Sequence, residues 1–313
     1  MTRILVTGAS GFIGSHLIDN LRCNYKVVGQ VRNIVNSVRN DSSLFTLDVN
    51  GTSDWNYSLK SVNVVIHLAG IAHNKSSDFH YMREVNVNGT INLAQQSVKN
   101  GVKRFIFISS IVVLGNRNTN NLPFNEHSPH SAYSEYAHTK LDAENALLKI
   151  AEETGLEVII IRPVLVYGLG APGNFGKLVK LVNKVPMLPF ALCTNKRSFI
   201  SVDNLVDFIS TCIDHPKAKN EIFCISDGND VSIREVTDGI ALGLNKKLIQ
   251  LPIPVFIFKL LGKITGRSEP IEQLVGVFQV DSSKARQLLN WTPPFTMAET
   301  FIKLSNCQIT NNK

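Results

Sequence analysis

Short apolar runs rich in β-branched and aromatic residues alternate with helical patterns through the first half of this 313-residue chain. The runs read RILVTG, YKVVGQV, LFTLDV, NVVIHLAG, RFIFISS and EVIIIRP, and the helical pattern GSHLIDNLR follows the first. Runs that are apolar at nearly every position, such as 64–68 and 105–108, indicate strands covered on both faces, and alternation with helices indicates parallel pairing. We therefore expect an α/β fold with a doubly wound parallel sheet.

The alternation loosens after Arg162 and Pro163, where glycines and prolines begin to mark loops. We expect a first domain over residues 1–167 and a smaller one over 168–313, with some segments of the second returning to the sheet. In the second region EIFCIS predicts a strand. SIREVTDGIALGL predicts a helix capped by Ser232, with Glu235 three residues on.

The net charge of +7 and the pI near 9.1 favour an anionic partner such as a phosphate-bearing ligand. The basic residues are scattered and no nucleic-acid-binding signature is found, so no nucleic-acid partner is expected. The longest apolar stretch, LPIPVFIFKLLGKITG, contains two prolines and two lysines and is too short for a membrane span. A helix packed on the domain is the favoured interpretation, with a surface membrane anchor as the alternative.

The cysteines are odd in number and have no zinc-site spacing, so no metal site is expected and a reducing compartment fits best. Met1 leads directly into an apolar strand without a charged leader and cleavage site, which predicts no secretory signal and a cytoplasmic protein. The cysteines are Cys23, Cys193, Cys212, Cys224 and Cys307.

The segment ILVTGASGFIGSHL places Gly8, Gly11 and Gly14 between a strand and a helix. Glycines allow a tight turn and a close backbone approach to a pyrophosphate, which the free N–H groups and positive dipole of the helix N-terminus then hold. A plain structural turn is the alternative. The flanking strand and helix favour a dinucleotide site.

The type of dinucleotide is indicated at the end of the second strand, where an acid would bind the ribose 2′-hydroxyl of NAD. The strand ends VVGQVRN, offering Gln30 and then Arg32, whose guanidinium would pair with the 2′-phosphate of NADP. NADP(H) is therefore favoured over NAD. The alternative is that Arg32 is a solvated loop residue. Asp48 is expected to accept a hydrogen bond from the adenine amino group or to cap a turn.

The segment SAYSEYAHTK contains two tyrosines and one lysine. If it is helical, Tyr136 and Lys140 lie at i and i+4 on one face, close enough for the ammonium to act on the phenol. A free phenol has a pKa of about 10, so a positive charge is needed to favour the phenolate. Tyr133 lies a turn further away.

Eight motifs follow one another along nearly the whole chain: TGASGFIG, HLAG, NVNGT, FISSIVVLG, YAHTK, RPVLVYG, RSFISVDN and LLNWTPPFTMAET. With this series the chain resembles an extended short-chain dehydrogenase/reductase of the NAD-dependent epimerase/dehydratase family that acts on nucleotide sugars. The resemblance implies a Rossmann dinucleotide-binding domain over 1–167 and a mainly substrate-binding domain over 168–313. It is much less specific for the substrate.

The resemblance implies a catalytic trio. Tyr136 exchanges a proton with the sugar hydroxyl, and Lys140 favours the phenolate and hydrogen-bonds the nicotinamide ribose. Ser110, five residues before Gly115, hydrogen-bonds the reacting oxygen, while Ser109 is expected to face the other side of the strand. A Ser-His-Asp hydrolase is a poor rival because no G-x-S-x-G elbow surrounds either serine.

The resemblance also implies binding roles. Arg197 matches a diphosphate clamp, and Asn174 and Phe175 match positions that contact the nucleotide sugar through side chain and backbone. Phe190 is expected to stack on uracil or to pack in the core, and Phe278 to screen bulk beside the sugar. Further cofactor contacts are implied for Phe12, Ile13, Val49, Leu68, Ala69, Lys140 and Pro163.

Several positions depart from the family pattern. Ile111 and Val112 stand where dehydratases carry an Asp-Glu pair, so elimination of water is not expected. Leu165 stands where hexose epimerases carry an asparagine. A second diphosphate arginine is not evident near Phe278, and Arg267 is a candidate from a shifted loop.

Two hypotheses for the enzymatic function follow. A 4-epimerase of UDP-glucose or UDP-N-acetylglucosamine keeps its cofactor bound, whereas a 4-keto reductase releases it and usually prefers NADPH. Arg32 favours the reductase, and FISSIVVLG with PIPVFIFKLLGKITG is similar to bacterial O-antigen enzymes that reduce a UDP-linked 4-keto-6-deoxy-N-acetylhexosamine. A non-catalytic nucleotide-binding module is the remote alternative, and the intact trio argues against it.

The resemblance further implies a homodimer, formed by packing two helices per subunit, near 86–98 and 136–152, into a four-helix bundle. The second helix repeats apolar residues on more than one side, which core packing alone also explains. These residues are Leu141, Ala143, Leu147, Leu148 and Ile150.

Overall fold

The computed structural model describes residues 1–33, 43–72, 78–118 and 122–305. Its strands follow the apolar runs of the sequence. In chain order they are β1 (Arg3–Thr7), β2 (Lys26–Val31), β3 (Leu44–Thr46), β4 (Val64–His67), β5 (Arg104–Ile108), β6 (Glu157–Pro163), β7 (Leu165–Tyr167), β8 (Met187–Leu188), β9 (Phe199–Ser201), β10 (Ile222–Ile225) and β11 (Ile249–Gln250).

Seven of these strands form one parallel sheet in the order β3-β2-β1-β4-β5-β6-β10. The doubly wound parallel α/β fold expected from the sequence is confirmed. The chain runs from β1 outward to β3 and then crosses back to β4 on the other side of β1. This reversal opens a crevice at the carboxyl ends of β1 and β4, the usual ligand site of such sheets.

β10 comes from the second half of the chain and pairs with β6 in the main sheet. Two small parallel sheets, β7 with β9 and β8 with β11, stand apart from it. The division of the chain into domains at residues 167 and 168 stays a prediction.

The helices of the described residues lie on both faces of the main sheet and in the second region. Among them, none combines the length and the apolar character needed to span a bilayer. In chain order they are α1 (Phe12–Leu21), α2 (Phe79–Arg83), α3 (Gly89–Lys99), α4 (Glu135–Thr154), α5 (Gly173–Lys184), α6 (Val202–Asp214), α7 (Ile233–Gly243), α8 (Val255–Ile264), α9 (Ser268–Val275), α10 (Ser283–Leu289) and α11 (Met297–Ile302).

The main sheet separates two apolar cores because successive side chains of a strand point to opposite faces. In β1, Ile4 and Val6 point into the core beneath α1 and α6, whereas Leu5 points into the core beneath α3 and α4. A third core, rich in aromatic rings, holds the second region together. Both faces of the sheet are therefore covered by apolar side chains, as the continuous apolar runs predict.

His67, the last residue of β4, is fully buried beside the crevice. Its Nδ1 lies 2.7 Å from Thr7 Oγ1 and its Nε2 lies 2.9 Å from Thr90 Oγ1. Thr90 donates its own hydroxyl hydrogen to the Asn86 carbonyl, so the neutral imidazole donates from Nε2. Burial, helped by the charge of Lys140, lowers the pKa of His67 to about 3.

This neutral imidazole makes stability depend on pH. The unfolded chain takes up a proton on His67 below a pKa of 6.5, whereas the folded chain does so only near 3. The stabilisation is therefore fully present above pH 6.5 and is lost as the pH falls toward 3. Between pH 6.5 and pH 5 the loss from this one proton reaches about 2 kcal/mol.

We predict that the drop in unfolding free energy between pH 7 and pH 5 is smaller in His67→Gln by this amount, because glutamine does not titrate. Urea denaturation at the two pH values is the measurement. His127→Gln, at an exposed histidine, is the control and keeps the wild-type pH dependence. A His67→Gln variant with the full wild-type loss would contradict the assignment.

Candidate active site

The motifs singled out in the sequence meet at the carboxyl edge of the main sheet. Gly8 follows β1, Leu68 follows β4, Ser110 follows β5, and Pro163 ends β6. These strands are neighbours in the sheet, so their ends border one crevice.

The glycine turn leaves room for a dinucleotide because its glycines have no side chains. Gly8 has φ +68°, and a Cβ there would lie 2.9 Å from the Ala69 backbone N. A Cβ on Gly14 would lie 2.2 Å from Gly8 O, so only glycine lets α1 start this close to the strand. The first N–H groups of α1 have no partner within the helix. They offer donors and a positive dipole to a pyrophosphate.

Gln30 holds this turn in place, a role that the sequence analysis missed. Its Oε1 accepts from Gly8 N at 3.0 Å, its Nε2 donates to the Leu47 carbonyl, and its own carbonyl accepts from Ala9 N at 2.9 Å. The side chain is 2% exposed. A polar side chain in an otherwise apolar strand is a signal for such an internal hydrogen bond.

The other predicted cofactor residues lie around the crevice. Arg32 and Asp48 are exposed just beyond β2 and β3, while Val49 is buried against Gly89. Ala69 donates its N–H to Thr7 Oγ1 at 3.2 Å. The segment 34–42, which follows Arg32, lies outside the described residues. The cofactor contacts of all these residues stay predictions, as do those of Phe12, Ile13, Leu68 and Pro163.

The two serines after β5 face opposite ways. Ser109 is buried and donates to the Glu144 carboxylate. Ser110 is partly exposed, caps the short 3₁₀ turn Ile111–Val113 and hydrogen-bonds Tyr136. Ser110 is thus the serine that lies with the tyrosine, and the catalytic role that the resemblance implies for it stays a prediction.

Helix α4 carries Tyr136 and Lys140 on the side that faces the sheet edge, with Ser134 as its N-cap. Lys140 is 3% exposed, and its Nζ donates to the Ile108 carbonyl at 2.9 Å and lies 4.5 Å from the centre of the Phe107 ring. The carbonyl and the ring hold the ammonium at the end of β5.

Burial shifts both titrating groups of α4 toward their neutral forms. It raises the pKa of Tyr136 to about 12, against a smaller opposite effect of the hydrogen bond with Ser110. It lowers the pKa of Lys140 to about 8, while the Glu144 carboxylate acts in the opposite direction. At neutral pH the phenol is protonated and able to donate, and Lys140 still carries its charge.

Behind the trio lies a buried ion pair that the sequence analysis also missed. Arg162 Nη2 and Glu144 Oε2 are 2.6 Å apart, and each side chain is 1% exposed. His130 Nε2 lies 2.9 Å from Arg162 Nη2. The pair joins α4 to β6, and through Ser109 also to the end of β5. An arginine in an apolar strand and a glutamate one turn after Lys140 are the signals in the sequence.

A π-helical turn, Glu84–Asn88, lies between α2 and α3 in the NVNGT motif. Its Asn86 accepts from Ile71 N at 2.8 Å and donates to Ile71 O and to Thr139 Oγ1, both at 3.0 Å. Asn86 thereby fixes the chain after HLAG beside α4. A Cβ on Gly70 would lie 3.4 Å from Lys140 Nζ, so this chain passes close to the ammonium. π-turns of this kind are frequent at functional sites.

Arg197 is held by the end of α9. Its Nη1 donates to the carbonyls of Gly276 at 3.0 Å and Glu272 at 3.4 Å, and its guanidinium lies 5.3 Å from the centre of the Phe278 ring. Burial lowers the pKa of Arg197 to about 10, which leaves it charged at neutral pH. The ring of Phe278 packs on Phe124 at 5.5 Å.

The remaining predicted substrate residues differ in their surroundings. Asn174 is exposed at the start of α5, whereas Phe175 packs on Tyr167 in the third core and has only its backbone for a ligand. Phe190 is 4% exposed and stacks on Phe258 at 5.9 Å, as the core-packing alternative describes. Stacking of Phe190 on uracil stays a prediction, as do the substrate contacts of Asn174 and Phe175.

Comparison with known proteins finds relatives over nearly the whole chain. The sequence pattern of the NAD dependent epimerase/dehydratase family matches residues 4–226. A Vibrio cholerae protein named UDP-glucose 4-epimerase is 44% identical over 306 residues, covering 95% of this chain and 93% of the relative.

A protein of Escherichia coli O157:H7 named N-acetyl-alpha-D-glucosaminyl-diphospho-ditrans,octacis-undecaprenol 4-epimerase is 27% identical over 315 residues, covering 95% of this chain and 92% of the relative. Among solved structures, UDP-N-acetylglucosamine 4-epimerase from Bacillus cereus superposes with a TM-score of 0.80 at 19% identity. The match covers 99% of this chain and all of the other, and it shows a shared fold.

We predict that Glu144→Gln lowers the unfolding free energy by about 3–5 kcal/mol, because it leaves the Arg162 charge buried without its counter-ion. Urea denaturation at pH 7 is the measurement. The double variant Glu144→Gln/Arg162→Met, which removes both charges, should recover most of the loss.

Asp142→Asn is the matched control for Glu144→Gln. Asp142 lies on the same helix and pairs with Arg83, but both side chains are about 40% exposed. An exposed pair contributes about 1 kcal/mol or less. Equal losses for Glu144→Gln and Asp142→Asn would show that the buried pair does not hold α4.

Proposed function

The chain belongs to the NAD dependent epimerase/dehydratase family, which makes it an NAD(P)-dependent sugar-nucleotide epimerase or reductase, and we propose that it reduces a UDP-linked 4-keto sugar at C4 with NADPH. The proposed substrate is a 4-keto-6-deoxy-N-acetylhexosamine of the kind used in bacterial O-antigen biosynthesis. The proposal of reduction, rather than epimerisation, rests on the residues at the carboxyl end of β2.

At that strand end, Arg32 is the first exposed side chain. The amide of Gln30 is occupied by Gly8 and Leu47, and Val31 is buried. A guanidinium at this position supports pairing with the 2′-phosphate of NADP, and no acid follows β2 within 31–33 to accept the ribose hydroxyl of NAD. A reductase releases its oxidised cofactor after each turnover, which agrees with NADPH as the reductant.

The proposed mechanism assigns proton transfer and positioning to the chain, while the bound dinucleotide supplies the hydride that C4 receives. The Tyr136 phenol donates its proton to the C4 oxygen as negative charge develops there. Ser110 hydrogen-bonds the same oxygen and orients it toward the phenol. The Lys140 ammonium stabilises the phenolate that is left, until solvent returns the proton. A pKa of about 12 keeps Tyr136 in the protonated form that reduction needs.

Substrate features support the same reaction class. Ile111 and Val112 offer no carboxylate beside Ser110, so the chemistry is confined to one carbon. Arg197 supplies a charged guanidinium for the diphosphate. The E. coli relative is named for an N-acetylglucosaminyl diphosphate, which supports an N-acetylhexosamine.

A UDP-glucose or UDP-N-acetylglucosamine 4-epimerase is the second candidate, favoured by the name of the V. cholerae relative. An epimerase returns the hydride to the same sugar and therefore keeps its dinucleotide bound. Dinucleotide carried through purification as tightly bound NAD would favour this candidate over the reductase.

We also propose a cytoplasmic homodimer. The cysteines of the described residues, Cys23, Cys193, Cys212 and Cys224, are unpaired, in keeping with a reducing compartment. Helices α3 and α4 pack side by side on the outside of the sheet, where a second copy would complete a four-helix bundle.

We predict that Arg32→Ala weakens NADPH binding at least about tenfold, because a charged hydrogen bond to a phosphate is lost, and leaves NADH binding unchanged. Fluorescence titration of the reduced dinucleotides measures both affinities. Arg286→Ala, at an exposed arginine of α10, is the control and should keep the wild-type ratio. Equal affinities of the wild type for NADPH and NADH would contradict the role of Arg32.

We predict that Tyr136→Phe lowers kcat for reduction of a UDP-4-keto-6-deoxy-N-acetylhexosamine about a thousandfold, because the general acid is removed. NADPH consumption measures the rate, and NADPH affinity should stay within about twofold, since the phenyl ring is retained. Tyr57→Phe, at a tyrosine that is 84% exposed, is the control. A Tyr136→Phe variant with wild-type kcat would rule out this mechanism.

A further inference from the structure

Helix α8 exposes a stripe of large apolar side chains, which we call the α8 stripe: Phe256, Leu260, Leu261 and Ile264. Each of the four is more than half exposed, and their spacing places them along one side of the helix. The opposite side is packed, since Phe258 stacks on Phe190 and Gly262 lies against Ile271 of α9. Single exposed apolar side chains are normal on a protein, whereas a continuous stripe of this kind marks an interaction surface.

Basic residues flank the α8 stripe. Lys259 and Lys263 lie one turn apart on the border of the stripe, and Arg267 follows the end of the helix. The helix itself contains no acidic residue, and Lys259 pairs with Glu272 of α9 at 3.3 Å. An apolar stripe with lysines at its border is the pattern of a helix that lies in a membrane interface.

The strand pair that precedes α8 also exposes apolar side chains. Met187 of β8 stands opposite Ile249 of β11, and both side chains are at least half exposed. Lys246 and Lys247 are exposed immediately before β11. The same combination of apolar and cationic side chains therefore recurs at the strand pair β8 and β11.

We propose that the α8 stripe docks on the surface of a membrane that contains anionic lipids. The four apolar side chains enter the boundary between headgroups and acyl chains, and Lys259 and Lys263 lie at the level of the lipid phosphates. A second copy of the chain fits this surface less well, because a two-fold contact of α8 with α8 brings the lysines of one copy toward those of the other. Anionic lipid offers acyl chains to the apolar side chains and phosphates to the lysines.

Docking through α8 brings the candidate substrate side toward the membrane. Helix α9 packs against α8, and the carbonyls of Glu272 and Gly276 at its end hold Arg197. The surface that meets the lipid and the guanidinium proposed to bind the diphosphate are therefore joined by a single helical hairpin.

The test is co-sedimentation of the full chain with vesicles of phosphatidylglycerol and phosphatidylcholine in equal parts, and with vesicles of phosphatidylcholine alone. We expect at least about tenfold stronger binding to the anionic vesicles, weakening with added salt, because each surface cation adds to the attraction. Phe256→Ser/Ile264→Ser should reduce that binding at least about tenfold, since two large apolar side chains are lost. Lys259→Gln/Lys263→Gln should remove most of the preference for anionic vesicles.

Leu242→Ser is the matched control, because Leu242 is an equally exposed leucine on α7, and it should bind like the wild type. All substituted side chains are exposed, so melting temperatures and turnover of a soluble nucleotide sugar should stay at wild-type values. Docking does not depend on which C4 reaction the enzyme performs, so failure of the reductase assay leaves this result unaffected.

Absence of binding to the anionic vesicles, or wild-type binding by Phe256→Ser/Ile264→Ser, would overturn the proposal. Light scattering tests the competing occupant: we expect the same molar mass for the wild type and Phe256→Ser/Ile264→Ser. A lower mass for the variant would mean that a second copy covers the α8 stripe, and the membrane proposal would be wrong.

Discussion

The buried ion pair between Glu144 and Arg162 determines where α4 lies on the sheet, and the position of α4 determines the geometry of the site. Two charges in an apolar environment interact strongly but lose their hydration, so separating the pair would leave each charge buried without its counter-ion. Here Ser109 supplies a further hydrogen bond to the carboxylate. One turn before Glu144, Lys140 is thereby set against the end of β5.

The site combines a rigid edge with shifted proton affinities. Parallel strands end together, so the residues that follow β1, β4 and β5 and the helix α4 border one crevice. The same burial that fixes Lys140 and Tyr136 removes water from them, which favours the neutral forms of both. Burial therefore accounts both for the positions of Lys140 and Tyr136 and for their shifted pKa values.

The sequence was sufficient for features that depend on local chemistry. Apolar runs gave the buried strands because a strand covered on both faces must be apolar throughout, and Ser232 with Glu235 gave the capped start of α7, where the capping box is present. The choice of Ser110 over Ser109 rested instead on the family resemblance, in which the catalytic residue stands five residues before Gly115.

Features that depend on distant contacts were not predicted. Gln30 holds a turn that lies 22 residues earlier in the chain. A polar residue in an apolar strand signals a hydrogen bond, but residue type does not identify its partners, which are backbone groups. Glu144 and Arg162 lie on different elements, and although an arginine in an apolar strand signals a buried charge, the sequence does not identify its partner. The burial of Phe190 under Phe258 depends on how α8 folds back, which apolar periodicity does not specify. Tertiary packing decided each of these positions.

The return of β10 to the main sheet has a consequence for protein engineering. Residues 168–313 do not form a detachable block, because β10 pairs with β6 and α6 packs in the core beside α1. A chain truncated before this block would lose the outer neighbour of β6 and expose its unpaired backbone groups to aggregation, and a block taken from a relative would have to match β6 and α1. Transfer of substrate specificity between relatives is therefore better attempted by exchanging loops and individual side chains, with β10 and α6 left in place.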